Sequence, residues 1–155
     1  MHPVTPADSA TIIPVVTKEQ LKRERLRFVD FRFRRTPSAL GTAEVELEWL
    51  EQTRVVGRAS GQSSAHSDLR IAAEATLRAI EQFAEGALRF ELVGIKAMRV
   101  FDTNIAIASI AAREGSGPPT RLMGCFLADD DPTRASVFAV LNATNRLLGN
   151  YIATR

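Results

Sequence analysis

The order of the predicted elements constrains the fold of this chain more than any single motif, because the order repeats. Three segments with strand patterns precede a helical pattern, and three more strand segments and a second helix follow. The two halves span about residues 26–86 and 87–152, within one domain over 26–155. The sequence therefore predicts an α+β domain of duplicated βββα units, in which helices pack on antiparallel sheets around a pseudo-two-fold axis.

The three strands of the first half alternate between apolar and polar residues, as expected for a sheet with one buried face. If they pair in sequence order, the glutamates of the middle strand lie between the arginines of its neighbours on the solvent face. Opposite charges on neighbouring strands contribute about 0.2–1 kcal/mol per pair, so we interpret this face as salt-bridged rather than phosphate-binding. The residues predicted to face the core are Val29, Phe31, Phe33, Ala43, Val45, Leu47, Trp49, Val55, Gly57 and Ala59.

Each half ends in a predicted helix. The first helix follows a polar loop, and we expect Ser67 to cap its start. Glu74 and Arg78 have the i,i+4 spacing of a stabilising ion pair on its polar side. The second helix is predicted to begin at Asp131-Pro132, since an acidic N-cap followed by proline is a common helix start.

The second half differs from the first, because two of its strands lack a polar face. Residues 105–112 and 121–128 are apolar on both sides, and the strand before them loses its alternation at Val93-Gly94, where we expect a bulge or a bend. A sheet covered on one side alternates, whereas a sheet covered on both sides does not. The chain's own helices cover one face, so the simplest cover for the other is an identical subunit. We therefore predict a homodimer or higher oligomer.

Composition limits the classes of protein that remain. The 155 residues are 45% hydrophobic and 25% charged with a net charge of +2, which is typical of one globular domain. The chain is too short for a (β/α)₈ barrel of roughly 200 residues or more, and no window has the roughly 18 unbroken apolar residues of a membrane helix. The first residues lack the pattern of a secretion signal. A single cysteine, Cys125, excludes an internal disulfide, so we expect a cytoplasmic protein.

The first 25 residues are predicted to form an extended arm and a short linker helix. Residues 1–16 contain three prolines and almost no charge, and their apolar side chains could dock on a larger partner protein. Residues 18–35 carry eight basic and three acidic side chains. A basic stretch can bind nucleic acid, but the predicted pairing of these arginines with glutamates makes nucleic-acid binding the least favoured interpretation.

Several stretches of the chain resemble a family of regulatory domains. They are TAEVELEW, RVVGRASGQSSAHSDLRIAAEATLRAI, LRFELVGIKAM and GCFLADDDPTRASVFAVLNATNRLL. Over about Leu26 to Ile152 the chain resembles the C-terminal regulatory (allosteric and dimerisation) domain of 2-isopropylmalate synthase. The resemblance implies two units of three strands and a helix, pairing across a two-fold axis, and a feedback amino acid bound near the loops at the pairing interface.

The loop before the first helix is the best candidate for a small-molecule site. Free backbone N–H groups at a helix start can hold a carboxylate or phosphate, although a simple polar connection is the alternative. The aspartates before the second helix could receive an ammonium group, or could serve as favourable charges at a helix start. The candidate ligand-binding residues are Gly61, Gln62, Ser63, Ser64, His66, Asp129 and Asp130.

Catalytic, metal and cofactor sites are not predicted from the sequence. His66 and Cys125 are too few ligands for zinc, and serine, histidine and aspartate residues that neighbour one another on a single loop rarely form a catalytic triad. No nucleotide-binding fingerprint occurs. Because Cys125 lies in an apolar strand, we expect a buried, unreactive thiol.

Two functions are consistent with these patterns. The first is a non-catalytic, stand-alone regulatory domain that pairs with itself and binds a small amino-acid-like or carboxylate metabolite at the helix-start loops. The second is a structural interaction module that dimerises and uses residues 1–16 to assemble with a larger partner protein.

Overall fold

The computed structural model describes residues 26–50 and 52–154, and its elements follow the predicted order twice. The first half contains β1 (Arg27–Arg35), β2 (Leu40–Trp49), β3 (Thr53–Gln62) and α1 (Ala65–Phe83). The second half contains β4 (Leu88–Val100), β5 (Thr103–Glu114), β6 (Thr120–Leu127) and α2 (Pro132–Ala153). The predicted α+β class and its duplicated βββα order are confirmed.

Each half forms its own antiparallel sheet with the strands in sequence order. Sheet 1 is β1-β2-β3, and sheet 2 is β4-β5-β6. Helix α1 packs on β2 and β3, α2 packs on β5 and β6, and the two helices pack on each other. Each helix therefore covers one face of its sheet, and the core lies between helices and sheets. The arm predicted over residues 1–25 lies outside the described residues.

Both first strands contain a β-bulge, and the two bulges lie at equivalent positions. The pairing of β1 with β2 shifts between Phe28 and Asp30, and the pairing of β4 with β5 shifts between Leu92 and Gly94. The bulge in β4 confirms the prediction made from its broken alternation. The bulge in β1 shows that the prediction of a core-facing Val29 is wrong. Val29 is the extra residue of this bulge, and Phe28 packs against the core instead.

Each third strand meets its helix at a glycine. A Cβ added at Gly57 would lie 2.0 Å from the Ala75 carbonyl oxygen, and a Cβ added at Gly124 would lie 2.3 Å from the Ala139 carbonyl oxygen. Both distances are far shorter than van der Waals contact, so a side chain at either position would force strand and helix apart. The close approach therefore depends on glycine in the strand and on a small residue in the helix.

The two helices contact each other near their first turns. The Ser136 hydroxyl donates a hydrogen bond to the Leu69 carbonyl oxygen at 3.2 Å. Further along each helix, Thr76 and Thr144 are fully buried, and each hydroxyl donates to the carbonyl oxygen four residues earlier in its own helix. These buried hydroxyls are therefore satisfied without water.

The start of α1 differs from the prediction. Ser64, not Ser67, is the N-cap, and the Ser64 side chain accepts a hydrogen bond from the Ser67 amide. Glu74 pairs with Arg70, one turn before it, at 3.3 Å rather than with Arg78. Both arginines have the i,i+4 spacing of a helical ion pair, so spacing alone does not choose between them.

Gly57→Ala and Gly124→Ala should each destabilise the domain. The added methyl group collides with helix backbone, which cannot rotate away as a side chain can, so we expect a loss of about 1–3 kcal/mol or more in the free energy of unfolding. Gly149→Ala is the matched control, because no atom lies within 4 Å of an added Cβ there and alanine favours a helix. Urea denaturation measures all three variants. A Gly57→Ala variant as stable as the wild type would contradict the packing described.

Candidate functional site

The outer face of sheet 1 carries a ladder of ion pairs. Glu44 and Glu48 of β2 lie between arginines of β1 and β3, as their alternation predicts, whereas Glu46 lies between Asp30 and Val56. The ion pairs are Arg27–Glu48, Arg32–Asp30 at 2.9 Å, Arg32–Glu44 at 3.9 Å, Arg54–Glu46 at 2.9 Å, Arg54–Glu48 at 3.4 Å and Arg58–Glu44 at 2.5 Å. The carboxylates of this face are therefore paired with arginines of the same chain, and the face is compatible with water.

The arginines of the ladder hold its carboxylates in the charged form. A hydrogen bond from Arg27 is the largest influence that lowers the pKa of Glu48 below its ordinary value of 4.5, and Arg54 lowers it further. A hydrogen bond from Arg58 likewise lowers the pKa of Glu44. The arginine side chains also cover Glu48, of which 4% is exposed. Folding therefore favours the ionised carboxylates.

Acid should weaken the domain through this ladder. A carboxylate with a lower pKa in the folded than in the unfolded state stabilises the fold above the unfolded pKa, and that contribution disappears as the pH falls through the folded pKa. We expect the free energy of unfolding to decrease as the pH falls below 4.5, and Glu48→Gln to flatten that decrease. Urea denaturation between about pH 6 and about pH 3 measures it.

Glu114→Gln is the control for this experiment, because Glu114 ends β5 outside the ladder. Its free energy of unfolding should follow the pH dependence of the wild type more closely than that of Glu48→Gln. An identical pH dependence in Glu48→Gln and in the wild type would contradict the role assigned to the ladder.

The outer face of sheet 2 is apolar over the part next to the turn between β4 and β5, and we call that part the open face. The other end of the same outer face carries Arg89, Glu91, Arg113 and Arg121, which are exposed. Helix α2 packs against the opposite side of this sheet, where Ala106, Ala108 and Ile110 are buried. Met123 is 65% exposed and Leu127 is 54% exposed. The residues of the open face are Val93, Lys96, Met98, Ile105, Ile107, Ser109, Met123, Cys125 and Leu127. A contiguous exposed apolar patch of this kind marks an interaction surface.

The outer faces of the two sheets are equivalent in the fold and opposite in chemistry. A row consists of three residues, one from each strand, that pair with one another across a sheet. If the rows are counted from the bulge in each sheet, each row of sheet 1 has a counterpart in sheet 2. One row is Arg32, Glu44 and Arg58 in sheet 1 and Lys96, Ile107 and Cys125 in sheet 2. The next row is Arg34, Thr42 and Ser60 in sheet 1 and Met98, Ile105 and Leu127 in sheet 2. Because the backbones correspond, the side chains alone distinguish the two faces.

Cys125 lies in the middle of the open face and is exposed, so the expectation of a buried thiol is wrong. Strand β6 is apolar on both sides, and its pattern does not identify the side that meets the helix. Gly124 is the residue that meets α2, which places Cys125 on the opposite side. The Cys125 carbonyl oxygen accepts a hydrogen bond from the Asn142 side chain at 2.8 Å.

The side chains of the predicted ligand loop bind one another. The Ser63 hydroxyl donates to the Asp68 carboxylate at 2.8 Å, and Arg35 donates to the same carboxylate at 2.7 Å. Ser64 caps the helix. The side chains of Ser63 and Ser64 therefore already have partners within the chain.

The two predicted helix-start segments lie at the ends of different elements. Gly61 and Gln62 end β3, while Asp129 and Asp130 are exposed in the turn between β6 and α2. His66 lines a cleft of about 420 Å³ to which these four residues do not contribute. His66, one of the predicted ligand residues, therefore lies in a cleft with other basic side chains.

The cleft lies between the first turns of α1 and the bulge of β4. Arg70 is held there by a hydrogen bond to the Leu92 carbonyl oxygen at 3.2 Å and by its ion pair with Glu74. The residues that line the cleft are His66, Arg70, Val93, Gly94, Ile95, Lys96, Ile107 and Ser109. Arg70 and Lys96 are not among the site residues predicted from the sequence. Arg70 follows His66 by one helical turn and Lys96 interrupts an apolar strand, but neither local signal shows that the two residues line one cleft.

The described part of the chain contains no group of three or more histidine, cysteine, aspartate or glutamate side chains that could hold a metal ion. Neither of its two helices combines the length and the apolar character needed to cross a membrane. No protein-family model matches the chain, and no curated protein matches it either. The resemblance to the regulatory domain of 2-isopropylmalate synthase therefore stays a prediction.

Proposed function

We propose that this chain is a non-catalytic regulatory domain that pairs with a second copy of itself through the open face of sheet 2. In this proposal the paired domain binds a small carboxylate or amino-acid-like metabolite beside the start of α1. The resemblance noted in the sequence supports the same function, because it implies both pairing and ligand binding.

The contrast between the two outer faces carries the proposal. Sheet 1 meets water with matched charges, whereas the equivalent face of sheet 2 exposes methionine, leucine, valine and cysteine side chains. Removing apolar surface from water is favourable by about 25 cal/mol per Å². A second copy is the simplest cover, because two identical faces can pair across a two-fold axis.

The outer face of sheet 2, which includes the open face, is large enough for a small dimer interface. Its central strand, β5, has 12 residues, which gives a length of about 40 Å at roughly 3.4 Å per residue. Three strands spaced by roughly 4.8 Å give a width of about 14 Å. The flat area is then about 550 Å², and side-chain relief and flanking loops add to it, while a typical interface buries about 800 Å² per partner.

Basic side chains support the ligand-binding part of the proposal. His66, Arg70 and Lys96 line one cleft, and no described acidic side chain lines it with them. Guanidinium and ammonium groups form strong charge-assisted hydrogen bonds with carboxylates. A ligand that binds one association state better than the other shifts the equilibrium toward that state, which is how such a domain would regulate.

Leu127→Glu should separate the two copies. A glutamate buried without a partner in an apolar interface is strongly unfavourable, so we expect the dissociation constant of the dimer to rise about tenfold or more. Ser60→Glu is the matched control, because Ser60 occupies the equivalent place on sheet 1 and is exposed. Sedimentation equilibrium over a wide range of concentrations measures both variants.

A wild-type chain that sediments as a monomer at every concentration would contradict the proposed pairing. A dimer that survives Leu127→Glu and is lost in Ser60→Glu would contradict the choice of face. Deletion of residues 1–16 should leave the dimer intact, because the open face alone accounts for the pairing.

A further inference from the structure

We infer that the cleft between α1 and β4 binds a small carboxylate with a short apolar tail, and that a second copy on the open face closes over it. Carboxylate binding and self-association then strengthen each other. The inference rests on the pairing proposed above. It is carried by one juxtaposition, in which three basic side chains (His66, Arg70 and Lys96) line a cleft whose apolar wall is part of the open face.

Lys96 lacks the partners that its counterpart in sheet 1 has. Arg32 occupies the equivalent place and pairs with Asp30 at 2.9 Å and with Glu44 at 3.9 Å. In sheet 2 a glycine and an isoleucine occupy the places of those two acids. Lys96 makes no ion pair with any residue that the structure describes. Lys96 is exposed, and a second copy seated on the open face would remove its ammonium group from water. An anion from outside the chain would then offset the cost of that burial.

Arg70 is positioned to share such an anion. Its Nη2 donates to the Leu92 carbonyl oxygen at 3.2 Å, and its Nε pairs with Glu74 at 3.3 Å. The other terminal nitrogen of the guanidinium keeps its N–H groups for a further acceptor. His66 lies one helical turn earlier in α1 and lines the same cleft.

The corresponding place in the other half is filled. In α1, Arg70 precedes Ala75, the residue that contacts Gly57. In α2, Arg134 precedes Ala139, the residue that contacts Gly124, by the same number of residues. Arg134 lies over the rings of Phe28 and Phe138, at 5.2 and 5.3 Å. These cation–π contacts engage the Arg134 guanidinium within the chain, so the two halves differ at this position.

The lining favours a carboxylate with an apolar tail over a zwitterionic amino acid. Val93, Ile95 and Ile107 provide apolar surface beside the basic groups. Asp129 and Asp130, the aspartates suggested as partners of an ammonium group, do not line the cleft. The ammonium group of a free amino acid would therefore be covered without a partner, which is unfavourable.

The cleft and the open face share residues, and this couples ligand binding to pairing. Lys96, Ile107 and Ser109 belong to both. A copy seated on the open face therefore lies against the ligand and excludes water from it, which strengthens the attraction between Lys96 and the carboxylate. By linkage, the ligand stabilises the pair by the same free energy by which the pair tightens ligand binding.

Sedimentation equilibrium of the full chain with 4-methylpentanoate tests the inference. We expect about 10 mM 4-methylpentanoate to lower the dissociation constant of the dimer about tenfold or more. The uncharged 4-methylpentanamide should leave the constant unchanged. Inorganic phosphate and leucine should act more weakly than 4-methylpentanoate, because phosphate lacks the tail and leucine adds the ammonium group.

Two variants locate the effect. In Lys96→Met and in His66→Gln, the ratio of the dissociation constants without and with 4-methylpentanoate should approach one, whatever the constants themselves become. Arg32→Met, at the equivalent place on sheet 1, should keep the wild-type ratio. Far-UV circular dichroism confirms that each variant is folded.

The outcomes separate this inference from the proposed function. A wild-type dimer that does not respond to 4-methylpentanoate would overturn the inference and leave the pairing intact. A monomer under all conditions would overturn the pairing and the coupling together, even with carboxylate binding detected by calorimetry. An equal or stronger response to phosphate or to leucine would overturn the ligand class, and a full response in Lys96→Met would overturn the location.

Discussion

Each helix of this domain covers one face of one sheet, and the rest of the molecule depends on that constraint. Gly57 and Gly124 let the two helices approach the third strands closely enough to build a shared core. The described chain then leaves the outer face of each sheet without a helix. Such a face must either match its own charges in water or find a cover. The outer face of sheet 1 has charged side chains that pair with one another in water. The outer face of sheet 2 has exposed apolar side chains that need a cover.

The duplication supplies an internal comparison that a single unit would lack. Bulges, strand registers and glycine contacts coincide in the two halves. The halves differ in the side chains of their outer faces. They also differ at the helix start, because α1 begins nearly one turn earlier than α2 when each helix is counted back from its glycine contact. His66 belongs to that additional turn. The open face and the basic cleft thus occur in the same half, next to each other.

The order of elements and the two sheets could be predicted from alternation and helical spacing, because those patterns report directly on which side of an element is buried. The prediction failed at Val29, where a bulge shifts the phase, and at Cys125, where both sides of the strand are apolar and the Gly124 contact decides. The cleft could not be predicted, since Arg70 and Lys96 come together when α1 packs beside β4. Local patterns carry no information on that contact.

The rate at which N-ethylmaleimide alkylates Cys125 tests most directly whether a second copy covers the open face. Cys125 is the single cysteine of the chain and lies in the middle of that face. If a second copy covers the face, the rate of alkylation per molecule falls as the protein concentration rises, with its midpoint at the dissociation constant obtained by sedimentation. A rate that stays constant from the most dilute to the most concentrated sample would contradict the account.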